Sequence, residues 1–262
     1  MATQGIENPL PPPAPTPTPA EKRSWLDAVQ SLASITVTAL FIIVFVVQAF
    51  RIPSGSMEDT LLVGDYLLVD KFAYAPGGYW HWIVPYKRLE RGDILVFKWP
   101  VHPDQHFVKR IVGLPGDRIH LAGGRVFVNG VPLSESYAVH KHYNHDFFRD
   151  DFPARPGNDA NIDPRWAADI AGFTRNREII VPEDSYFVLG DNRDSSLDSR
   201  YWGFVPRENI VGKPLLIYFS VRPSDDEPEL HLRADDKMTR FADDVRRLPT
   251  IPRWSRMLHF VK

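Results

Sequence analysis

The sequence predicts a mainly β protein, in which a domain of antiparallel β-sheet follows one N-terminal transmembrane helix. Two observations carry this prediction. The uncharged run "LASITVTALFIIVFVVQAF", residues 32–50, would span about 28 Å as a helix, close to the hydrocarbon thickness of a bilayer. Between residues 54 and 221, Gly, Pro and Asp separate short β-branched and aromatic runs. Long amphipathic helices do not alternate with these runs, which argues against a parallel α/β sheet.

The N-terminal region divides into a tail and an anchor. Residues 1–24 are rich in Pro, Ala and Thr, which predicts a disordered tail, and residues 25–51 contain the apolar run. Lys22 and Arg23 precede the run and Arg51 follows it, so the positive-inside rule favours a cytoplasmic N-terminus. The β domain would then lie on the extracytoplasmic, periplasmic face of the cell membrane, held there by a single span.

The apolar run has two other interpretations besides a retained anchor. A buried core helix would normally carry a broader polar stripe than the few polar residues of this run. A cleavable signal peptide is the second alternative, because small residues lie near the end of the run, at "VQA". The length of the run and the tail that precedes it favour a retained anchor.

The composition excludes several classes of function. The 262 residues carry a net charge of −2, so no global basic field would hold the phosphates of a nucleic acid, and no nucleic-acid partner is expected. The absence of cysteine removes disulfides, thiolate catalysis and thiolate metal sites together. A nucleophile in this chain would have to be Ser, Thr, Lys or a carboxylate.

The predicted β domain covers residues 52–222. Two dipeptides within it are hairpin signals, Gly123-Gly124 and Asn129-Gly130. Residues 140–176 are polar and rich in Pro, Asp and Asn, which indicates an insertion of loops or short helices. Residues 223–262 form a charged and finally basic tail, which would either lie on an anionic membrane surface or complete the domain.

Lys109 is the candidate base of the chain. In "HFVKRIVG" it alternates with Phe107 and Ile111 on one face of a predicted strand. Burial between these two side chains would lower the pKa of the ammonium, as a general-base lysine requires. Arg110 points to the other face and cannot be deprotonated. The alternative is a surface lysine on an edge strand, which the local pattern by itself slightly favours.

The stretch "LGDNRDSSLDSRYWGFVP", residues 189–206, combines charged residues with serines. Such a composition is typical of a solvated loop. Apolar and aromatic residues flank the stretch closely, however, so its charged side chains would pack against an apolar surface. Arg and Asp in that setting pair bidentately and hold a loop still. The charged residues are Asp191, Arg193, Asp194, Asp198 and Arg200.

Three stretches together resemble the sequence boxes of bacterial type I signal peptidases, the membrane-bound Ser–Lys endopeptidases. They are "PSGSMEDTLLVGD", "FVKRIVGLPGD" and "GDNRDSSLDSRYWGFVP". Their order and the anchor before the first box also match, and the resemblance covers residues 25–221. The chain departs from the family at Asp59, because the family commonly reads S-M-x-P-T and has proline there.

The resemblance implies a role for each matching residue. Ser56 would be the nucleophile and Lys109 the general base. The Ser54 hydroxyl and the backbone N–H of Ser56 would form the oxyanion hole. Ser196 would orient the base. The supporting residues of the site would be Asp198 and Arg200, with Asp191 and Arg193 of the same loop.

The resemblance also implies the function, which is removal of N-terminal signal peptides from exported preproteins. Cleavage would follow small residues at the −1 and −3 positions and proceed through an acyl-enzyme. Neither a metal nor a cofactor is expected, the expected partners are preproteins and the lipid bilayer, and a monomer is expected. Two alternatives stay open: a Ser–Lys peptidase with a specialised substrate, and an anchored module that binds exported peptides without cutting them.

Two further segments have binding interpretations. The aromatic "GGYWHW", which contains Trp80 and Trp82, would either dip into the membrane interface or pack in the core. Three histidines of the insertion, His140, His142 and His145, are spaced closely enough to chelate a metal ion. A solvated loop is the preferred interpretation of the histidine segment, because it lies away from the three boxes in sequence.

Overall fold

The computed structural model describes residues 19–41, 47–71, 88–141, 144–157, 159–222 and 252–261. The chain divides into two compact units, Met1–Val44 and Phe45–Lys262. Within the described residues, the first contains one helix, and the second contains the β-sheets and the three sequence boxes. The segment "GGYWHW" lies outside the described residues, as does His142.

The helix of the first unit, α1, covers Pro19–Phe41. Its large apolar side chains are exposed, among them Trp25, Leu32 and Ile35. None of the helices in the described ranges is both long and apolar enough to cross a membrane.

The apolar run does not continue as a helix to Phe50, which corrects the predicted end of the anchor. Val47–Arg51 form a strand, which pairs antiparallel with Asp65–Asp70. Valine, alanine and phenylalanine suit either a helix or a strand, so local preference left the choice open. The neighbouring strand supplies hydrogen-bond partners for this backbone, and that pairing decides the conformation.

The second unit is mainly β, as predicted. Its described strands in chain order are β1 (Val47–Arg51), β2 (Asp65–Asp70), β3 (Ile94–Lys98), β4 (His106–Gly113), β5 (Arg118–Ala122), β6 (Arg125–Val128), β7 (Val131–Pro132), β8 (Thr174–Arg175), β9 (Glu178–Ile180), β10 (Ser185–Leu189), β11 (Val205–Pro206), β12 (Ile210–Ser220) and β13 (His259–Phe260). Three short helices accompany them, α2 (Phe147–Asp150), α3 (Pro164–Phe173) and α4 (Ser199–Trp202).

The strands form two sheets, and every pairing between the named strands is antiparallel. The larger sheet has the order β1-β2-β12-β3-β4-β10-β11, with β13 paired to β12. The smaller sheet has the order β7-β6-β5-β9-β8. In the larger sheet β4 lies between β3 and β10, so the predicted base Lys109 is on an inner strand and not on an edge.

Both predicted hairpins are present in the smaller sheet. Gly123 and Gly124 join β5 to β6, and Asn129 and Gly130 join β6 to β7. All four residues have positive φ, with values of 53° for Asn129 and 82° for Gly130. Two-residue hairpins favour this left-handed backbone, which glycine and asparagine adopt at low cost.

The polar insertion contributes to the core, although its composition indicated only loops and short helices. Helices α2 and α3 lie within it, and α3 is capped by the Asp163 carboxylate. Phe152 and Trp166 are buried with Phe187 and Ile119 of the sheets. The apolar minority of the insertion therefore stabilises the fold by burial of its large side chains.

The end of the basic tail completes the β domain. Residues 252–261 run beside β12, and β13 pairs with Leu216 and Ile217. Asp65 is fully buried and accepts hydrogen bonds from Arg256, the shortest at 2.6 Å, and from Ser220 at 2.6 Å. These charge-assisted bonds hold the end of the chain against the start of β2.

Candidate active site

Ser56 lies in a tight turn between β1 and β2. Gly55–Met57 form a single 3-10 turn, which the N–H of Glu58 closes by donating to the Gly55 carbonyl. Met57 is buried in the core below it. This burial fixes the turn to the sheet, so the Ser56 side chain is directed inward and is only 8% exposed.

Lys109 approaches Ser56 from β4. Its Nζ lies 2.6 Å from Ser56 Oγ, and its side chain is buried beside the Phe107 ring. Burial disfavours the ammonium and lowers the pKa of Lys109 from 10.5 to about 8, although the carboxylates of Asp198 and Asp191 oppose the change. The structure thus decides between the two interpretations of this residue: it is a buried lysine, not a surface one.

The residue after Lys109 is buried as well. Arg110 donates two hydrogen bonds to the Asp191 carboxylate, at 2.8 and 2.7 Å, and its guanidinium lies over the Tyr137 ring. Asp191 also accepts a hydrogen bond of 2.6 Å from the Thr60 hydroxyl. The carboxylate therefore joins β4, the chain after the serine turn and the loop that follows β10.

That loop, residues 190–200, is called the support loop below. It begins at Gly190, where a Cβ would lie only 2.2 Å from Ser196 Oγ and 2.5 Å from the Ser56 carbonyl oxygen. Only a glycine allows these groups to approach so closely. The approach places Ser196 next to the serine turn, as the resemblance implies.

Ser196 is buried, and within the described part of the chain its Oγ has no hydrogen-bond partner of normal geometry. It lies close enough to the Asp198 carboxylate to help lower the pKa of that group. Its expected hydrogen bond to Lys109 therefore remains a prediction. A buried hydroxyl with unused bonding capacity beside a candidate base fits that expectation.

Asp198 and Arg200 form a fully buried pair. The guanidinium donates two hydrogen bonds of 2.8 Å to the carboxylate, and Asp198 also accepts from the Gly190 N–H. Burial alone would raise the pKa of Asp198, but the charge and hydrogen bonds of Arg200 hold it below its ordinary value. Arg200 also donates to the carbonyl of Arg193, which closes the support loop upon itself.

Arg193 is a second buried arginine of the support loop. Its guanidinium binds the Glu135 carboxylate through both terminal nitrogens and donates to the Gly190 carbonyl. Sequence patterning suggested acid–base pairing within the loop, but it did not identify Glu135 as the partner. Glu135 lies 58 residues earlier in the chain, and no local pattern links the two positions.

Asn192 was not singled out from the sequence, yet it contacts the serine turn directly. Its backbone N–H donates to the Ser56 carbonyl at 3.1 Å, and its side-chain amide donates to the Gly55 carbonyl at 3.2 Å. The only signal in the sequence was its position within the third box. Asn192 ties the support loop to the turn that carries Ser56.

Ser54 lies on the solvent side of the same turn. It is exposed, and its Oγ lies 3.4 Å from Ser56 Oγ. Ser56 is the second residue of the 3-10 turn, where a backbone N–H has no partner within the helix. A hydroxyl and an N–H at this end of a short helix can together face one carbonyl oxygen.

Two histidines of the insertion, His140 and His145, form pairs with carboxylates. His140 Nδ1 lies 3.3 Å from Asp194 Oδ1, and His145 Nε2 lies 2.9 Å from Asp151 Oδ2. Within the described residues, no three His, Asp or Glu side chains are grouped so that they could hold a metal ion.

The arrangement is the one that a hydrolase of the Ser–Lys class needs. A seryl hydroxyl contacts a buried lysine of lowered pKa, and a fixed loop supports both. A family model described as signal peptidase, peptidase S26, matches residues 25–219. The chain therefore belongs to the signal peptidase family, peptidase family S26.

Individual relatives agree with this family. Signal peptidase I of Aquifex aeolicus is 36% identical over 228 residues, which cover 74% of this chain and 84% of that protein. Signal peptidase I of Leptolyngbya laminosa is 34% identical and covers 75% of this chain and 80% of that protein. A crystal structure of a signal peptidase I from Enterococcus faecalis matches 48% of this chain and 97% of that chain, with 33% identity and a TM-score of 0.35.

Proposed function

We propose that Ser56 and Lys109 are the nucleophile and the general base with which this chain removes signal peptides. Membership of the family makes the chain a serine endopeptidase that processes signal peptides. The observation that carries the residue assignment is the contact of 2.6 Å between Lys109 Nζ and Ser56 Oγ. A non-catalytic binding module is not favoured, because it would have no need of a serine beside a buried lysine.

The first half of the proposed reaction forms the acyl-enzyme. The neutral amine of Lys109 accepts the Ser56 proton as Oγ attacks the scissile carbonyl carbon. The tetrahedral intermediate then collapses, the C–N bond breaks, and the lysine ammonium returns the proton to the leaving amine. That amine becomes the N-terminus of the mature protein, while the signal peptide stays esterified to Ser56.

The second half releases the signal peptide. Lys109 is neutral again and can deprotonate a water molecule, whose oxygen attacks the ester carbon. The ester bond breaks, the lysine passes the proton to Ser56 Oγ, and the signal peptide leaves with a free carboxylate. One lysine thus serves both halves of the cycle, for which a pKa of about 8 is suitable.

The oxyanion of both tetrahedral intermediates is assigned to the serine turn. The donors would be the Ser54 hydroxyl and the Ser56 N–H, which lie at the solvent-facing start of the 3-10 turn. Donors held in place before the reaction stabilise the developing charge, and each contributes about 3 kcal/mol in other serine hydrolases. Asn192 would support them by holding the two carbonyls of the same turn.

The remaining residues of the support loop would position the base. Ser196, beside Gly190, would orient the Lys109 amine through its free hydroxyl. The carboxylates of Asp198 and Asp191 raise the pKa of Lys109 against the effect of burial. Each carboxylate is held by an arginine, so the field at the lysine is fixed by buried ion pairs rather than by mobile charges.

The substrates would be exported preproteins, cut after small residues at the −1 and −3 positions. We assign the chain to the cell membrane, with a single span, a cytoplasmic N-terminus and the catalytic unit on the extracytoplasmic face. The uncharged residues 32–46, which precede β1 in the sequence, and the basic residues before them support this topology. Every site residue named here comes from one chain, so a monomer would suffice.

Cleavage of a preprotein with an Ala-x-Ala site in detergent tests the assignment. Wild type, Ser56→Ala and Lys109→Met are compared, with a chelator added to wild type in a parallel reaction. Both variants should lose more than about a thousandfold in kcat/KM, as for nucleophile and base losses in other serine proteases. The chelator should have no effect.

Two results would reject parts of the proposal. Full activity of Lys109→Met would mean that another group is the base. Inhibition by the chelator would mean that a metal ion takes part. Ser134→Ala serves as the matched control, since Ser134 is exposed and lies outside the three boxes and the support loop.

A further inference from the structure

Three consecutive residues, Val139 and the first two residues of the insertion, contact both loops of the active site. These residues, 139–141, are called the strap, and residues 54–59 are called the nucleophile turn. The Val139 N–H donates to the Asp191 carbonyl at 2.8 Å, and the Arg193 N–H donates to the Val139 carbonyl at 3.0 Å. The strap is thus fixed to the support loop by backbone hydrogen bonds, which do not depend on its side chains.

The strap ends on the nucleophile turn. Lys141 Nζ donates to Glu58 Oε2 at 2.6 Å and lies 3.7 Å from Asp59 Oδ1. Between these two ends, His140 lies beside Asp194. Lys141 is therefore carried by a segment fixed to the support loop, and its ammonium reaches the turn that holds Ser56.

The Glu58 carboxylate is close to the proposed oxyanion hole. A Cβ on Gly55 would lie 3.1 Å from both Glu58 Cδ and Glu58 Oε1. The carboxylate is therefore folded back over Gly55, the residue that immediately precedes the Ser56 N–H. A negative charge in this position opposes the development of a second negative charge on the carbonyl oxygen of the substrate.

The ammonium of Lys141 offsets that charge. Its contact with Glu58 is a charge-assisted hydrogen bond, and Glu58 is only 30% exposed, so water screens the carboxylate incompletely. Lys141 also faces Asp59, the residue that stands in the usual proline position of the family. The two acids after the nucleophile and the lysine of the strap thus form one local charge group.

We propose that Lys141 is a positioning residue that holds the Glu58 carboxylate and neutralises its charge beside the oxyanion hole. The inference rests on the proposed role of Ser56. It concerns the rate of the chemical step rather than the binding of substrate, because the unfavourable contact grows only as the oxyanion forms. Lys141 itself touches neither the nucleophile nor the base in this structure.

The test measures kcat and KM for Lys141→Gln, Lys141→Arg, Glu58→Gln and the double variant Glu58→Gln/Lys141→Gln. Lys141→Gln should lower kcat by about two- to fivefold, the effect that one partly exposed ion pair can supply, with KM unchanged. Lys141→Arg should keep the wild-type kcat. In the Glu58→Gln background, Lys141→Gln should have no further effect, since the carboxylate that needs compensation is gone.

Salt supplies an independent readout. The deficit in kcat of Lys141→Gln should become smaller as ionic strength rises, because counterions screen the unpaired carboxylate. Arg165→Gln is the control, since Arg165 is an exposed cation that forms an ion pair with Asp163, the N-cap of α3. Its kcat should equal that of wild type at every salt concentration.

Two results would overturn the inference. An unchanged kcat in Lys141→Gln would show that the charge does not matter. A double variant as slow as Lys141→Gln would show that Lys141 acts only as a structural tie. Ser56→Ala is measured in the same assay, so that an active Ser56→Ala enzyme would reject the proposed nucleophile and be distinguished from a failure of the Lys141 inference alone.

Discussion

Arg110 and Asp191 form a buried bidentate ion pair across 81 positions of sequence, at 2.8 and 2.7 Å. The pair links the strand of the candidate base to the loop that supports it. Its arginine is the direct neighbour of Lys109, so two adjacent cationic residues of β4 are buried on opposite faces. Arg110 is paired with a carboxylate, whereas burial disfavours the charged form of Lys109.

The first prediction concerns this pair. Asp191→Ala should reduce the free energy of unfolding by about 3–5 kcal/mol, because it leaves the Arg110 guanidinium buried without its anion. Urea unfolding followed by fluorescence measures the change. Asp184→Asn is the control, since Asp184 is 84% exposed in its contact with Arg207 and should change stability by less than about 0.5 kcal/mol. A loss below 1 kcal/mol in Asp191→Ala would contradict the prediction.

The second prediction concerns the pH dependence of catalysis. Only neutral Lys109 can accept the Ser56 proton, so kcat/KM should rise with pH and level off above about 8, where the pKa of Lys109 lies. Initial rates on a preprotein between pH 6 and 10 measure the profile. An ascending limb centred near 10.5, the ordinary lysine value, would show that burial does not lower the pKa of Lys109.

The third prediction concerns stability and follows from the same pKa. Because folding lowers the pKa of Lys109 from 10.5 to about 8, the unfolded chain binds the extra proton between these pH values. The contribution of Lys109 to stability is therefore unfavourable below pH 8 and is relieved as the pH rises to 10.5. The full difference corresponds to about 3 kcal/mol.

Lys109→Met removes that cost and should be more stable than wild type at pH 7, by as much as about 3 kcal/mol. The gain should shrink progressively above pH 8. Chemical unfolding of both proteins at pH 7 and pH 10 measures it. A variant that is less stable than wild type at pH 7 would contradict the expected sign.

The fourth prediction concerns Gly190. A methyl group at this position would lie 2.2 Å from Ser196 Oγ and 2.5 Å from the Ser56 carbonyl oxygen. Gly190→Ala should therefore displace the support loop from the nucleophile turn and reduce kcat/KM by about a hundredfold or more, as misplacement of catalytic groups by about 1 Å does. The cleavage assay and the melting temperature are measured together.

Gly172→Ala is the matched control for Gly190→Ala. Gly172 lies in α3, and a methyl group there would meet nothing within 4 Å. Alanine is the better helix former, so this variant should gain about 0.5–1 kcal/mol of stability and keep full activity. Wild-type activity of Gly190→Ala would show that the close approach of the two loops is not required.

Several features of the fold and site followed from the sequence because they depend on local patterns. The hairpins at Gly123-Gly124 and Asn129-Gly130 are confirmed, since only particular residues adopt their backbone conformation. The period of two along a strand placed Lys109 beside Phe107, although it did not decide whether the lysine is buried. The three boxes predicted membership of the signal peptidase family, and the match of the family model confirms this prediction.

Other features could not be predicted because they depend on pairing between distant segments. The residues at the end of the apolar run suit either a helix or a strand, and they form a strand because they pair with β2. Asn192 resembles any loop asparagine until its contact with Gly55 is known. Glu135 and Lys141, from segments outside the three boxes, join the site only through the folded chain.

The amino-acid sequence was sufficient to predict the class of the domain, the order of the three boxes and the candidate serine and lysine. These depend on residue types, local spacing and backbone preference. The folded chain was needed to show that Lys109 reaches Ser56, which carbonyls Asn192 binds and which carboxylate each buried arginine binds. A buried charge is stable only beside a partner of opposite charge, and the packing of the sheets and loops determines which residue that is. The partner can be distant in sequence, so the neighbouring residues do not identify it.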